Sequence, residues 1–323
     1  QSGEKVTVAY LGGSITEGIS AGADGSASAF ALMQSGLFSE MVLIDVDKDR
    51  AEGEAMDISH GASFAGPMKI YAGGYEDVGD AAIIVITAGA NQKPNETRLD
   101  LVQKNAKIMT DVVTQIKEQE YKGILLIVSN PVDIMTQVAM EVSGFPEYRV
   151  FGSGTVLDSA RLRYHLGQHL GVDSRSVHAF VIGEHGDSEI AAWSSANVSG
   201  VPLNSFCEMR GHYNHEGNTE SIEEQVKNSA YEIIAKKDAT YYGIAMVVKR
   251  ICQAIVRDEK SIFPISLRMH GEYALEDVVL SMPAIVGARG IETTIPISLD
   301  EKEVSRLHES AEMLRETRKE IRR

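Results

Sequence analysis

Ala82-Ile83-Ile84-Val85-Ile86-Thr87 is a short, uninterrupted apolar run in which branched side chains predominate. Such a run is typical of a strand buried on both faces of a parallel sheet, because neither face meets water. Similar runs at residues 6–11, 41–45 and 124–129 predict three more strands of this kind. Helical patterns lie between them, as at residues 100–119, and this alternation predicts right-handed βαβ units in a doubly wound parallel sheet of the α/β class.

The composition excludes several classes of partner. With 323 residues and 43% hydrophobic content, the chain has room for two domains with a sizeable core. A formal net charge of −15 argues against nucleic acid and against an anionic membrane surface, and no apolar run is as long as a membrane span. Cys207 and Cys252 are too few for a disulfide framework, so we expect a cytoplasmic protein.

Ligands of a doubly wound sheet bind beyond the carboxyl ends of its strands. Asp45 ends the second predicted strand, where its carboxylate could accept both hydroxyls of an adenosine ribose and would disfavour a phosphorylated one. This favours NAD over NADP as the cofactor. An acid at a strand end is also common, so the interpretation depends on the rest of the site.

A second stretch carries the chemistry: Ile182-Gly183-Glu184-His185-Gly186-Asp187-Ser188. Histidine exchanges a proton near neutral pH, and the flanking glycines let a small ligand approach its ring. Asp158 could orient that ring, and Arg161, three residues on and on the same helical face, could grip a carboxylate with two hydrogen bonds. Taken singly, these residues are equally typical of a turn histidine and a surface ion pair.

The segments at residues 152–161 and 182–188 resemble the catalytic segments of the lactate/malate dehydrogenase family, and within it those of bacterial L-lactate dehydrogenases. The similarity runs from about residue 28 to the C-terminus. It implies an NAD-binding Rossmann domain over residues 4–152 and a mixed α+β substrate domain over residues 153–323. It also implies a homotetramer that transfers hydride between NADH and pyruvate to give L-lactate, a product of fermentative glycolysis.

The resemblance implies a role for each matching residue. His185 would donate the proton, with Asp158 stabilising the imidazolium, while Arg161 anchors the substrate carboxylate. The remaining substrate contacts would come from Arg98 and Gln92 on a mobile loop, from Asn130, and from Thr240. A neutral amide at Gln92 suits the methyl group of pyruvate, whereas arginine would suit oxaloacetate, so a malate or other 2-hydroxyacid dehydrogenase is the alternative. Asn95 and Asp238 replace the usual glycines of the family.

The resemblance also implies a cofactor site, although the sequence departs from the family pattern in the phosphate loop of that site. NAD would lie against Asp45, Thr87, Ala88, Gly89, Ser129 and Asn130. The family spacing, counted back from Asp45, predicts that Ser20-Ala21-Gly22-Ala23-Asp24-Gly25 forms the phosphate loop, with Gly22 and Gly25 in the cradle. There a serine replaces the first glycine, and Asp24 would face the pyrophosphate. Impaired NAD binding is therefore a second alternative.

The preceding segment, Ala9-Tyr10-Leu11-Gly12-Gly13-Ser14-Ile15-Thr16-Glu17-Gly18, makes residues 9–25 an atypical first βα unit. It is similar to the first block of SGNH (GDSL-like) hydrolases, in which the serine is the nucleophile. An ester hydrolase using Ser14 is the remote alternative. Its D-x-x-H partner is found only at Asp57-Ile58-Ser59-His60, early in the chain, and a serine without a positioned base is not activated.

Three further expectations concern regulation, metals and the end of the chain. By resemblance, Arg163 and His178 would bind fructose 1,6-bisphosphate as an allosteric effector at a two-fold subunit interface, or they are plain surface residues. No zinc-ligand spacing is present, so no metal site is expected. Ser298-Leu299-Asp300-Glu301 reads as a capping box that opens a final helix.

Overall fold

The computed structural model describes residues 7–11, 19–90 and 97–321, and at residues 10, 11, 19–24 and 98 it describes the backbone alone. Its strands are β1 (Thr7–Leu11), β2 (Glu40–Ile44), β3 (Lys69–Ala72), β4 (Ile83–Ile86), β5 (Ile124–Ile127), β6 (Val150–Gly152), β7 (Val177–His178), β8 (Val181–Ile182), β9 (Ile190–Ala191), β10 (Asn197–Val198), β11 (Val201–Pro202), β12 (Ser261–His270), β13 (Glu276–Gly287) and β14 (Gly290–Thr294). Its helices are α1 (Ile19–Ser35), α2 (Lys48–Gly61), α3 (Arg98–Glu118), α4 (Val132–Ser143), α5 (Val156–Leu170), α6 (Leu203–Met209), α7 (His215–Lys237), α8 (Tyr242–Val256) and α9 (Glu301–Ile321).

Nine strands form one sheet in the order β14-β13-β12-β6-β5-β4-β1-β2-β3. The six strands from β3 to β6 are all parallel, and their order is that of a dinucleotide-binding sheet, with the order reversing between β1 and β4. The prediction of a doubly wound parallel sheet of the α/β class is therefore confirmed. Antiparallel β12 continues the sheet beyond β6, where Ser266 pairs with Gly152.

The core follows from the apolar runs that predicted the strands. All four residues of β4 and all four of β5 are buried, because helices cover both faces of the sheet. A second, smaller apolar cluster lies where α5, α6 and α7 meet the short strands, and its members include Leu162, Leu166, Leu170, Val177 and Ile222. None of the helices in the described ranges is long and apolar enough to cross a membrane.

The predicted phosphate loop at residues 20–25 is wrong in its position. Ala9 to Leu11 lie in β1, as the apolar run at residues 6–11 predicted, and pair with both β2 and β4. Helix α1 then begins at Ile19, which puts Gly22 and Gly25 inside its first two turns. The connection between β1 and α1 is residues 12–18, and these, with Ser14, lie outside the described residues.

The final helix begins slightly later than the sequence predicted. The reciprocal capping box is formed by Asp300 and Glu303: the Glu303 N–H donates to Asp300 Oδ1 at 2.8 Å, and the Asp300 N–H donates to Glu303 Oε2 at 3.0 Å. The predicted pair, Ser298 and Glu301, lies two residues too early, because a carboxylate at Asp300 competes well for the same role.

Candidate active site

The first turn of α5 is fixed against the sheet by a glycine and a hydroxyl. Gly154 has a positive φ of 53°, and a Cβ there would lie 2.6 Å from both the Pro264 carbonyl oxygen and the Ser266 nitrogen, so only glycine allows this approach. Thr155 Oγ1 donates to the carbonyl of Val181 at 2.5 Å. These contacts orient the next turn of α5, which carries Asp158 and Arg161.

The loop that carries His185 follows β8 and is held through its backbone. The His185 N–H donates to Asp133 Oδ2 at 2.7 Å. Asp133 is buried in the first turn of α4, where it also accepts from Ser266 Oγ at 2.6 Å. Burial raises the pKa of Asp133 to about 6, although the hydrogen bonds from Ser266 and His185 oppose the shift. This buried support was missed because an acid in the first turn of a helix reads as an ordinary dipole partner.

Asp158 brings the three principal predicted residues together. One of its oxygens lies 2.6 Å from His185 Nδ1, and the other accepts from an Arg161 guanidinium nitrogen at 2.8 Å. Asp158 is almost fully buried, Arg161 is largely buried, and about a quarter of the His185 side chain is exposed. His185 therefore has one ring edge against Asp158 while part of its side chain remains accessible.

The electrostatics of this pair favour a charged imidazolium. Burial lowers the pKa of His185, but the charge and hydrogen bond of Asp158 outweigh it and raise the pKa to about 9. Burial likewise opposes ionisation of Asp158, and its partners His185 and Arg161 together hold its pKa below the usual value. The site can therefore keep a proton on His185 at neutral pH.

Glu189 is a further buried acid beside this pair that sequence reasoning did not identify. It is 4% exposed, and ligand atoms of Asp158, His185 and Glu189 all lie within 4.8 Å of one another. Burial, reinforced by the charge of Asp158, raises the pKa of Glu189 to about 8. Its carboxyl group is therefore mostly protonated at neutral pH, which avoids placing a second anion against Asp158.

Asn105 on α3 joins the loops that follow β4 and β5. Its Oδ1 accepts from the Ala90 N–H at 2.7 Å, and its Nδ2 donates to the Asn130 carbonyl at 2.9 Å. Ser129 Oγ donates to the Ala88 carbonyl at 2.6 Å, which ties the same two loops a second time. These predicted cofactor contacts therefore form one braced edge at the carboxyl ends of β4 and β5. Thr87 and Gly89 lie on the same edge.

The far end of this edge suits an adenosine. Asp45 directly follows β2 and is half-buried, and burial raises the pKa of its carboxyl group. A cavity of about 1010 Å³ opens beside it, between α2 and the segment after β3. Gly73 lines this cavity. A Cβ at Gly73 would lie 2.6 Å from a Val42 methyl group, so a larger residue does not fit there without a shift. A carboxylate beside a cavity of this size fits the ribose and base of NAD.

The structure shows the positions of several other predicted residues, but none of the described contacts joins them to Asp158, His185 or Arg161. Thr240 is half-buried in the turn between α7 and α8, and the Asn130 side chain is exposed. Arg163 donates from Nε to the Ser159 carbonyl at 3.2 Å, and burial lowers its pKa. His178 is exposed on β7. Gln92, Asn95 and the side chain of Arg98 lie outside the described residues.

Two family models match the chain. Residues 18–152 match the lactate/malate dehydrogenase NAD-binding domain, and residues 155–323 match the lactate/malate dehydrogenase alpha/beta C-terminal domain. The first match begins at Gly18, where the hydrolase-like segment ends, and these findings give that segment no support.

Curated proteins and solved structures agree with the models. The L-lactate dehydrogenase of Acetivibrio thermocellus is 48% identical over 298 residues, covering 92% of this chain and 94% of that protein. The L-lactate dehydrogenase of Priestia megaterium is 48% identical over 93% of this chain and 94% of its own length. A lactate dehydrogenase from a Medee basin deep-sea metagenome library has a TM-score of 0.93 at 43% identity over 99% of both chains. The minor L-lactate dehydrogenase of Enterococcus mundtii in a ligand-bound form has a TM-score of 0.91 at 39% identity over 98% of both chains.

Proposed function

The chain belongs to the lactate/malate dehydrogenase family, and from this premise we propose that it is an NAD-dependent L-lactate dehydrogenase that interconverts pyruvate and L-lactate. The observation that carries the proposal is the contact of His185 Nδ1 with Asp158 Oδ2 at 2.6 Å, beside Arg161. A proton donor and a carboxylate-binding cation at one site are what reduction of a 2-oxo acid requires.

In this mechanism each side chain has one task. Arg161 binds the substrate carboxylate, and His185 gives its proton to the carbonyl oxygen as that oxygen becomes an alcohol. Asp158 keeps the imidazole oriented and stabilises its charged form before the transfer. Arg98 and Asn130 polarise the carbonyl, and Thr240 borders the substrate. In lactate oxidation His185 acts in the opposite direction, as the base.

NADH supplies the hydride when it is bound. Asp45 would hold the adenosine ribose, and Thr87, Ala88, Gly89, Ser129 and Asn130 would contact the cofactor along the edge braced by Asn105. The phosphates would lie at the start of α1, where backbone N–H groups and the helix dipole favour an anion. Gly22 and Gly25 lie inside that helix, so impaired NAD binding is the alternative to test.

Replacing His185 with Asn tests the catalytic assignment. The Asn side chain cannot act as a general acid, so we expect turnover of pyruvate to fall by at least about 10²-fold while NADH binding is unchanged. The matched control is His308→Asn, at an exposed histidine on α9, which should keep full activity. Unchanged turnover in His185→Asn would refute the assignment.

Calorimetric titration with NADH, with oxamate present to fill the substrate site, tests cofactor binding. Micromolar binding supports the dehydrogenase; no binding by the folded protein would support a dehydrogenase-shaped chain with a defective cofactor site. Ester hydrolysis needs a separate control: acetyl-ester cleavage that is lost in Ser14→Ala would favour the hydrolase, and cleavage that survives would exclude Ser14.

Substrate choice is assigned to Gln92. Its neutral side chain suits the methyl group of pyruvate, and Gln92→Arg should shift preference toward oxaloacetate, because a cation there pairs with the second carboxylate. Measuring kcat/KM for both 2-oxo acids in each variant checks this. A wild-type chain that prefers oxaloacetate would favour the malate dehydrogenase alternative.

The finer features belong to the same proposal. Residues 4–152 would bind the cofactor and residues 153–323 the substrate, in a cytoplasmic homotetramer, where the unpaired thiols of Cys207 and Cys252 suit a reducing compartment. Arg163 and His178, on neighbouring α5 and β7, would bind fructose 1,6-bisphosphate. If they do, the bisphosphate lowers the KM for pyruvate, and Arg163→Gln abolishes the effect.

A further inference from the structure

Glu189 directly precedes β9 and is held there through its backbone. Its N–H donates to the Gly186 carbonyl at 3.2 Å, and its carbonyl accepts from an Arg306 guanidinium nitrogen at 3.3 Å. The residue is 4% exposed. One of its carboxyl oxygens lies within 4.8 Å of a ring nitrogen of His185 and of a carboxyl oxygen of Asp158. The fold therefore fixes a third ionisable group against the pair of His185 and Asp158.

The cations that the structure describes near this carboxyl group are already paired with other acids. Arg161 on α5 donates to Asp158 at 2.8 Å. Lys227 Nζ on α7 lies 3.3 Å from Glu223 Oε1, and Arg306 on α9 forms an ion pair with the same carboxylate. Within the described residues, no hydrogen bond reaches the carboxyl group itself. It can therefore act on its neighbours through its charge rather than through a hydrogen bond.

The charge of Glu189 changes with pH in the range where His185 titrates. Burial, and then the charge of Asp158, raise the pKa of Glu189 to about 8, and three cationic groups oppose the shift: His185, Lys227 and Arg161. The carboxyl group is therefore mostly neutral at pH 7 and becomes an anion above about pH 8.

Once it is ionised, Glu189 strengthens the hold of His185 on its proton. Burial lowers the pKa of His185, the charge and hydrogen bond of Asp158 raise it, and the charges of Asp133 and Glu189 raise it further, to about 9. The two pKa values are close and each group alters the other, so Glu189 and His185 titrate as a coupled pair.

We propose that Glu189 is a positioning residue of the reaction, whose buried carboxyl group acts through the pair of His185 and Asp158 and sets how firmly His185 holds its proton. This role rests on the proposed function, since it gives Glu189 a part in proton transfer to the 2-oxo acid. At neutral pH the carboxyl group adds no charge beside Asp158. In alkaline solution it adds an anion beside the imidazolium, so pyruvate reduction continues to a higher pH than Asp158 alone would allow.

Nuclear magnetic resonance of the full chain labelled with ¹⁵N-histidine tests this role on the His185 ring, whose signal is the one missing from His185→Asn. In the parent chain the signal should move in two steps, a smaller one near pH 8 as Glu189 ionises and a larger one near pH 9 as His185 loses its proton. In Glu189→Gln the first step should be absent, and the midpoint of the second should fall by at least about 0.5 pH unit. Glu309→Gln removes an exposed acid on α9 and should titrate as the parent chain does.

Two further variants separate an electrostatic role from a structural one. Glu189→Asp keeps a carboxyl group, so the first step should persist. Lys227→Met removes a charge that lowers the pKa of Glu189, so the first step should move to higher pH; this variant serves if Glu189→Gln does not fold. A residue that only fills space would change Tm in these variants and leave both steps where they are in the parent chain.

Pyruvate reduction across pH gives the matching kinetic readout. The alkaline loss of kcat/KM should begin at lower pH in Glu189→Gln, by the same shift as in the ring titration. A parent chain that titrates in two steps but does not reduce pyruvate would refute the proposed function, while the electrostatic link between Glu189 and His185 would stand. An identical titration of His185 in the parent chain, Glu189→Gln and Lys227→Met would overturn the inference.

Discussion

Asp158 divides its two oxygens between His185 and Arg161, so one carboxylate orients both the proposed proton donor and the proposed substrate anchor. Asp158→Asn keeps the shape but removes the charge, and we expect kcat for pyruvate reduction to fall by roughly 10²–10³-fold. The pKa of His185 should fall as well, because the charge of Asp158 raises it. Steady-state rates across pH measure both effects. Asp173→Asn, in the exposed pair with Arg175, is the control and should change neither.

The pH dependence of the two directions follows from His185. Its pKa of about 9 in the folded chain lies above the ordinary value of 6.5, so the proton is retained well into the alkaline range. Pyruvate reduction needs that proton and should fall as pH rises through about 9, whereas lactate oxidation needs the neutral ring and should rise over the same range. The stability gained from this proton is complete below pH 6.5 and is lost as pH rises toward 9. A reduction rate that already halves near pH 6.5 would contradict the prediction.

At this scale the sequence predicted the three residues that meet in the candidate site but not the buried acids beside them. His185, Asp158 and Arg161 stand in short local patterns. Glu189 and Asp133 are ordinary acids in the sequence, and their altered pKa values arise from burial by elements far along the chain. Burial of this kind is a tertiary property, and no local pattern contains it.

Among the elements, α3 acts as a brace through one side chain. Asn105 is 4% exposed and bonds to the loops after both β4 and β5. Asn105→Ala leaves the buried Ala90 N–H and the partly buried Asn130 carbonyl without their partner, and the buried N–H alone costs about 1–3 kcal/mol. We expect lower stability in urea and a raised KM for NADH with little change in kcat. Gln103→Ala, at an exposed position on the same helix, provides the matched control.

The entry to α5 depends on Gly154. Its positive φ and its 2.6 Å approach to backbone atoms of Pro264 and Ser266 exclude a side chain. Gly154→Ala should therefore destabilise the chain by about 1–3 kcal/mol and reduce kcat, because the turn that holds Asp158 must move. Gly53→Ala is the comparison: nothing lies within 4 Å of a Cβ there, and the residue is in the middle of α2. A loss of stability in Gly53→Ala as large as in Gly154→Ala would count against this explanation.

Element boundaries were predicted less well than element types. The count back from Asp45 predicted a phosphate loop at residues 20–25, but α1 begins at Ile19 and includes those residues. The capping box was predicted at Ser298 but forms at Asp300, because two overlapping sequence patterns were possible and the carboxylate is the better acceptor. Local sequence patterns indicate several possible ends for a helix or strand, and the hydrogen bonds of the folded chain determine which one forms.

For the whole molecule, ligand binding should appear as stability. NADH at about 100 times its Kd adds about 2.7 kcal/mol to the free energy of unfolding, which for a chain of this size raises Tm by roughly 4 °C. A thermal melt with and without NADH measures this, with NADPH as the control, because Asp45 would repel a phosphate on the ribose. A Tm that is the same with and without NADH would favour the alternative of impaired NAD binding.

The global arrangement was only partly within reach of the sequence. Apolar runs predicted four of the six parallel strands, β1, β2, β4 and β5, because burial on both faces leaves a continuous signature. The antiparallel extension by β12, β13 and β14 was not predicted. Its partner in the parallel part is Gly152, and Ser266 lies more than a hundred positions later.

That one pairing between β6 and β12 has a mechanical consequence. The sheet crosses the expected boundary at residues 152 and 153 without interruption, so the two halves of the chain share a single hydrogen-bonded layer. Two bodies joined in this way cannot swing apart on a hinge without breaking the layer. Access to the catalytic cluster does not need such a separation, because about a quarter of the His185 side chain is already exposed. For the same reason, replacing one half of the chain with that of a relative requires that the replacement keep the pairing of β6 with β12 in the same register.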